Sequence, residues 1–124
     1  MNQAAASKTR NAVLGKSGEE EARRFLLKKG YEIIAQNYRS PFGEVDLICK
    51  DQNSVVFVEV KTRKNLNFGD GAEAVVPKKQ KKIIKTALYF LKNKHLEAHP
   101  YRFDVVSILS GGDLKISYIP HAFP

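Results

Sequence analysis

Residues 55–58 read Val-Val-Phe-Val, followed by Glu59, Val60 and Lys61. A strand that is apolar on both faces fits only the middle of a sheet covered on each side. The segment therefore demands two further layers packed against it. Glu59 is the second constraint, because an unpaired carboxylate buried at the end of such a strand costs several kcal/mol. It must have company.

The pattern around this segment supplies the layers. Ser17-Gly18-Glu19-Glu20 reads as a capping box that starts a helix, with Ala22, Phe25 and Leu26 on its apolar face and Gly30 just past its end. Residues 31–38 are β-prone, and Pro41-Phe42-Gly43 breaks the chain. Strands are expected over 44–50 and 54–62, joined by the polar cluster Asp51-Gln52-Asn53-Ser54. A loop over 64–76 leads to Pro77, which fits the first turn of a helix running to about Lys94. Strands over 101–109 and 114–119 complete the order helix, three strands, helix, two strands. That order predicts an α/β fold, a mixed sheet flanked by helices. With 124 residues the chain is one domain, expected over 14–124 after a flexible polar tail over 1–13.

The hairpin register places the acids. A loop over 51–54 pairs Lys50 with Val55, so partner numbers sum to 105 and Asp46 stands opposite Glu59, with Glu44 opposite Lys61. Directly opposed side chains have Cβ atoms about 4.5–5.5 Å apart, where like charges repel. Two accounts of the compensating charge remain open. One is a divalent cation such as Mg²⁺, which favours one or two carboxylates with water and phosphate oxygens. The other is a salt-bridge network of Glu44, Asp46, Glu59 and Lys61. Glu19 lies at the margin of the first helix's apolar face and Gln80 within the inward stripe of the second, so either could join a site or merely cap and fill.

Charge narrows the partner. The chain carries +8 overall, and residues 61–95 hold ten Lys and Arg against two acids while the remainder balances. Lys78, Lys82, Lys85 and Lys92 fall on one side of the second helix. A concentrated positive region suggests a polyanion, most often nucleic acid, although a solvated lysine face would look the same. The single Cys49 excludes an internal disulfide and a Cys-based zinc cluster, and its alternation with Val45 and Leu47 makes it a core thiol. His95, His99 and His121 have no metal-ligand spacing, and Asp104, between Phe103 and Val105, reads as the partner of a core lysine or arginine. No apolar run reaches the ~18–20 residues of a membrane helix, and residues 1–10 lack a signal peptide's apolar stretch. A cytoplasmic protein without a membrane partner is expected.

Gly43-Glu44-Val45-Asp46, followed thirteen residues after Asp46 by Glu59-Val60-Lys61, resembles the active-site motif of the PD-(D/E)xK nucleases. A fuller likeness runs through Gly18-Glu19-x-x-Ala22, Asn37-Tyr38-Arg39, Phe57 to Arg63, Phe68-Gly69, Ala72 to Val75, Lys79-Gln80 and Arg102 to Val106. On these the chain resembles the YraN family, small bacterial proteins similar in turn to archaeal Holliday-junction resolvases. The resemblance implies a restriction-endonuclease-like three-layer core with a mixed five-stranded sheet. It also implies Asp46, Glu59 and Glu19 as ligands of Mg²⁺ or Mn²⁺, Lys61 as the motif lysine, and Gln80 as a polar helix residue near the metal. Val45 stands where the motif has proline.

The expected activity is a metal-dependent endonuclease acting on DNA, branched or otherwise structured. Arg63, Lys64, Lys78, Lys82, Lys85 and Lys92 would hold the backbone without reading sequence. By analogy with resolvases the protein would form a homodimer. The alternative is a non-catalytic nucleic-acid-binding or assembly module that keeps the nuclease scaffold.

Overall fold

The computed structural model describes residues 10–63, 75–110 and 114–124, with side chains from Ser17 onward. Along the chain these form α1 (Arg10–Lys28), β1 (Glu32–Ser40), β2 (Gly43–Asp51), β3 (Ser54–Arg63), α2 (Pro77–Asn93), β4 (Tyr101–Leu109) and β5 (Lys115–Phe123). The five strands make one sheet in the order β1-β2-β3-β4-β5. The Val55–Val58 run thus takes the central position. β3 pairs antiparallel with β2 and parallel with β4, the parallel step being the one that the α2 crossover permits.

Alternating side chains of β3 divide the core in two. Val56 and Val58 join Leu47, Cys49, Val106 and Ile108 beneath Ala22 and Leu26 of α1. Val55 and Phe57 join Ile48, Phe103 and Val105 beneath Ile83, Ala87, Phe90 and Leu91 of α2. The helices therefore cover opposite faces, giving the nuclease-like α/β three-layer arrangement. Aromatic rings fill the α2 side: Phe57 stacks on Phe103 at 5.7 Å, Phe103 on Phe123 at 5.1 Å, and Phe90 meets Phe57 edge-on at 6.0 Å. On the α1 side contact is closest at Gly18, where a Cβ would lie 2.1 Å from Thr62 Oγ1. Only glycine lets the helix approach the end of β3 there.

Two boundaries differ from the sequence reading. α1 starts at Arg10 rather than Ser17, so Ser17 is an interior position and residues 10–13 belong to a helix rather than a tail. No proline separates Arg10 from Ser17, and nothing in that segment obliges the helix to stop. β5 continues through Pro120 to Phe123, which an edge strand allows because a missing N–H on the open side costs no ladder bond. Residues 1–9 and most of the 64–76 loop lie outside the described residues.

Asp104 is fully buried, and its partner is an arginine, as its setting on β4 suggested. Arg102 Nε donates to both carboxylate oxygens at 3.2 Å, the Tyr118 hydroxyl donates to Oδ2, and the His121 N–H donates to Oδ1 at 3.0 Å. Arg102 Nη2 reaches on to Tyr31 Oη at 2.9 Å and Asp51 Oδ2 at 3.3 Å. This network ties β4 to β5, to the start of β1 and to the β2–β3 turn. Removing the guanidinium leaves a buried charge with only two neutral donors. Arg102→Met is therefore expected to lower unfolding stability by about 3 kcal/mol or more, read from urea denaturation at neutral pH.

Candidate active site

The β1–β2 register shifts between Ile33 and Ala35 and then holds, and the site begins where side-chain alternation slips within it. Gln36 pairs with Leu47 and Tyr38 with Val45, and the residues between them are Asn37 and Asp46. Asn37 has φ 51°, in the left-handed region that Asn tolerates better than most residues. Alternation slips there on both strands. Leu47 buries on the α1 side but Val45 on the α2 side, and Ala35 and Tyr38, three residues apart, both pack on the α2 side. Asp46 sits at the slip and lines a cleft beneath α2, together with Gly43, Glu44, Glu59, Lys79, Lys82 and Ile83.

The opposite ladder ends at the same place. β2 and β3 pair from Asp51↔Ser54 to Leu47↔Val58, partner numbers summing to 105 as expected. Beyond that pair a side chain replaces the backbone bond, the Val60 N–H donating to Asp46 Oδ2 at 2.8 Å. Glu44 consequently does not oppose Lys61. It pairs across β1 with Arg39, Nε to Oε1 3.7 Å, while Lys61 lies beside Ser107 of β4. The strands part where the acids meet.

Glu59 is 4% exposed, and it pairs with Lys79, Nζ to Oε2 2.5 Å. Burial and the negative charge of Glu59 raise the Asp46 pKa to about 7, with the Val60 N–H opposing them. Burial also works against the charge of Lys79, but the bond and attraction to Glu59 outweigh it and raise its pKa. Lys61 moves the other way. Burial first, then the adjacent Lys79 ammonium, push its pKa down. Asp46, Glu59 and Lys79 line a cavity of about 190 Å³ that is open to solvent, and Lys61 interacts with all three.

The model of the Uncharacterised protein family UPF0102 matches residues 18–108. The chain belongs to this family. It is the YraN family that the motifs pointed to, and the matched span holds the whole cluster. The UPF0102 protein of Chloroherpeton thalassium is 52% identical over 99 residues, covering 80% of this chain and 77% of its own. That of Caldicellulosiruptor saccharolyticus is 46% identical over 113 residues, 89% of this chain and 96% of its own. That of Thermodesulfovibrio yellowstonii is 46% identical over 110 residues, covering 89% and 95%.

Within this UPF0102 protein the expected site residues divide. Asp46, Glu59 and Lys61 come together. Glu19 is half-buried one residue beyond the Gly18–Thr62 contact and does not line the cleft. Among the described residues no three His, Cys, Asp or Glu side chains converge as a metal-ligating group. Gln80 donates its amide to the Val75 carbonyl at 2.8 Å, holding the chain that enters α2. Lys78, Lys82, Lys85 and Lys92 are exposed along α2, Arg63 is half-buried at the end of β3, and Lys64 lies outside the described residues. Cys49 is a buried thiol whose pKa burial pushes up to about 12, as its core reading implied. Lys79 is the residue that site reasoning passed over. It lies four before Ile83 and eleven before Phe90, both buried, so the inward stripe of α2 extended back to it.

The raised Asp46 pKa has a thermodynamic consequence. Between an unfolded value near 3.8 and a folded value near 7 the native state binds the extra proton, so stability falls as pH rises through this window. Asp46→Asn keeps an oxygen for the Val60 N–H and offers Glu59 a donor. It is expected to unfold with a flatter pH dependence between pH 4 and 7, and to exceed the native protein by on the order of 1–3 kcal/mol at pH 8.

Proposed function

We propose that this protein is a divalent-metal-dependent endonuclease that hydrolyses phosphodiester bonds of DNA, with branched or structured DNA as its substrate. The observation that carries the reading is the Asp46–Glu59 pair: two carboxylates face one open cleft, and burial together with the Glu59 charge raises the Asp46 pKa to about 7. A carboxylate in a cleft whose pKa is raised by burial and by a second acid is a candidate functional group. The donor set suits Mg²⁺ or Mn²⁺, which take few protein carboxylates and fill their remaining positions with water and phosphate oxygens. Asp46 and Glu59 would hold the ion, and Glu19 would reach it only through water.

A cation bound there supplies Lewis acidity toward the scissile phosphate and its attacking water. The chain's own residues do the rest. Lys61, which interacts with Asp46, Glu59 and Lys79, would orient the attacking water and stabilise charge on the phosphoryl oxygens. Lys79 neutralises Glu59 in the free protein and turns to the substrate phosphate once the carboxylate has another partner. Lys82, at the rim of the cleft, begins a cationic face that continues through Lys85 and Lys92 and holds the backbone. A homodimer would present two such clefts to the two strands of a junction.

Purified protein incubated with branched, single-stranded and duplex DNA in Mg²⁺ or Mn²⁺ is expected to cut branched DNA fastest. EDTA should stop cleavage, and Asp46→Asn and Glu59→Gln should each lower it by ~10²-fold or more. Undiminished turnover in both variants would place the chemistry elsewhere. A second reading, the non-catalytic nucleic-acid-binding or assembly module, is favoured by one contact: the Lys79–Glu59 pair already answers the Glu59 charge. Calorimetry separates the two. Salt-sensitive DNA binding without uptake of Mn²⁺ up to millimolar concentration would support the module.

A further inference from the structure

Phe42 is an exposed ring on a fastened mount. Ser40 pairs with Gly43, so Pro41 and Phe42 alone form the β1–β2 turn. The Phe42 N–H donates to Ser40 Oγ at 3.0 Å, and the Ser40 and Thr86 hydroxyls lie 2.9 Å apart, tying the turn to α2. At Gly43 a Cβ would lie 3.3 Å from Lys82 Cβ, so the turn rests directly on the helix. Despite this the Phe42 side chain is 46% exposed.

Its neighbours are an aromatic ring and a cation. Tyr89, 38% exposed, meets it edge-on at 6.2 Å, and Lys85 Nζ stands 5.9 Å from its centroid. Helical spacing aligns Lys82, Lys85, Tyr89 and Lys92 along one stripe of α2, a rise of ~15 Å. Lys82 and Gly43 both line the carboxylate cleft, so the patch and the cleft are continuous. From Phe42 to Asp46 the strand spans ~13 Å, about the reach of two nucleotides.

We infer that Phe42 and Tyr89 form a stacking surface for an unpaired base of the nucleic acid whose backbone lies along the lysine stripe. The inference rests on the proposed function and narrows its substrate to DNA that exposes an unstacked nucleotide within two positions of the cut. Rings interleaved with lysines suit this ligand, because every free base has a π-face and every nucleotide carries a negative phosphate. In a duplex each base face is covered by its neighbour, leaving only the lysines to bind. A second copy of this chain fits the patch poorly, since it would bring its own lysine stripe against this one.

The test measures binding by the full chain in EDTA, where no cutting interferes, to duplex, single-stranded and branched oligonucleotides at one salt concentration. Phe42→Ala is expected to weaken single-stranded and branched binding about 5- to 100-fold while duplex binding stays within about twofold. Phe42→Trp should retain affinity. The chain has no tryptophan, so this variant carries one indole, whose emission should be quenched by unpaired DNA and not by duplex. Equal losses on all three ligands, or none, would overturn the inference. Cleavage that Asp46→Asn abolishes would then leave the proposed function standing, whereas absence of both binding and cleavage removes the two together. Should sedimentation show Phe42→Ala turning a dimer into a monomer with DNA affinity intact, the patch belongs to a second copy and the inference fails.

Discussion

The opposition of two carboxylates at the end of the central hairpin is the constraint on which the rest depends. Strands β2 and β3 stay in register up to Leu47↔Val58, and the next pair would bring Asp46 against Glu59. The ladder yields instead: the Asp46 carboxylate takes the Val60 N–H, and a left-handed Asn37 lets β1 follow the displaced strand. From that fault follow the cleft beneath α2, the commitment of Lys79 to Glu59 and the raised Asp46 pKa.

The protein contains a second buried acid, and the contrast explains why only one of them reads as a site. Asp104 accepts bonds from Arg102, Tyr118 and His121, in a network closed on every side by β4, β5 and the start of β1. Its charge is answered by a guanidinium and by two neutral donors, which is how a buried carboxylate contributes to a fold. Asp46 and Glu59 have the reverse arrangement. Like charges face each other, Lys79 pairs with Glu59 while Lys61 stands nearby, and the surroundings open to solvent on the face where the exposed lysines of α2 begin. Such an arrangement stores electrostatic repulsion that a cation or a protonated group relieves.

Much of this was legible in the residues. The two-faced Val55–Val58 run fixed β3 at the centre, and the polar cluster at 51–54 fixed a register that the structure keeps, although the turn is tighter than expected because Asp51 and Ser54 themselves pair. The acids of the site followed from that register. What failed was the assumption that pairing continues past Leu47, which made Asp46 and Glu59 ladder partners and put Glu44 opposite Lys61. No residue pattern announces where a ladder breaks, and only Asn37, tolerant of positive φ, hinted at it. Lys79 escaped because a lysine at a helix start reads as solvent-facing. Its spacing to Ile83 and Phe90 was the available clue, and Gln80, one position on, turned to the Val75 carbonyl instead. The start of α1 was misplaced because Ser17-Gly18-Glu19-Glu20 fits a cap as well as it fits a helix interior, and Gly18 serves close packing on Thr62 rather than termination.

Carboxyl-carbon NMR, following each side chain from pH 3 to 9 in the absence of divalent ions, probes the opposed pair most directly. The account predicts that Asp46 titrates near 7 and that Glu59→Gln brings it down toward the ordinary carboxylate range. An Asp46 midpoint near 4 in the native protein, unmoved by Glu59→Gln, would contradict it.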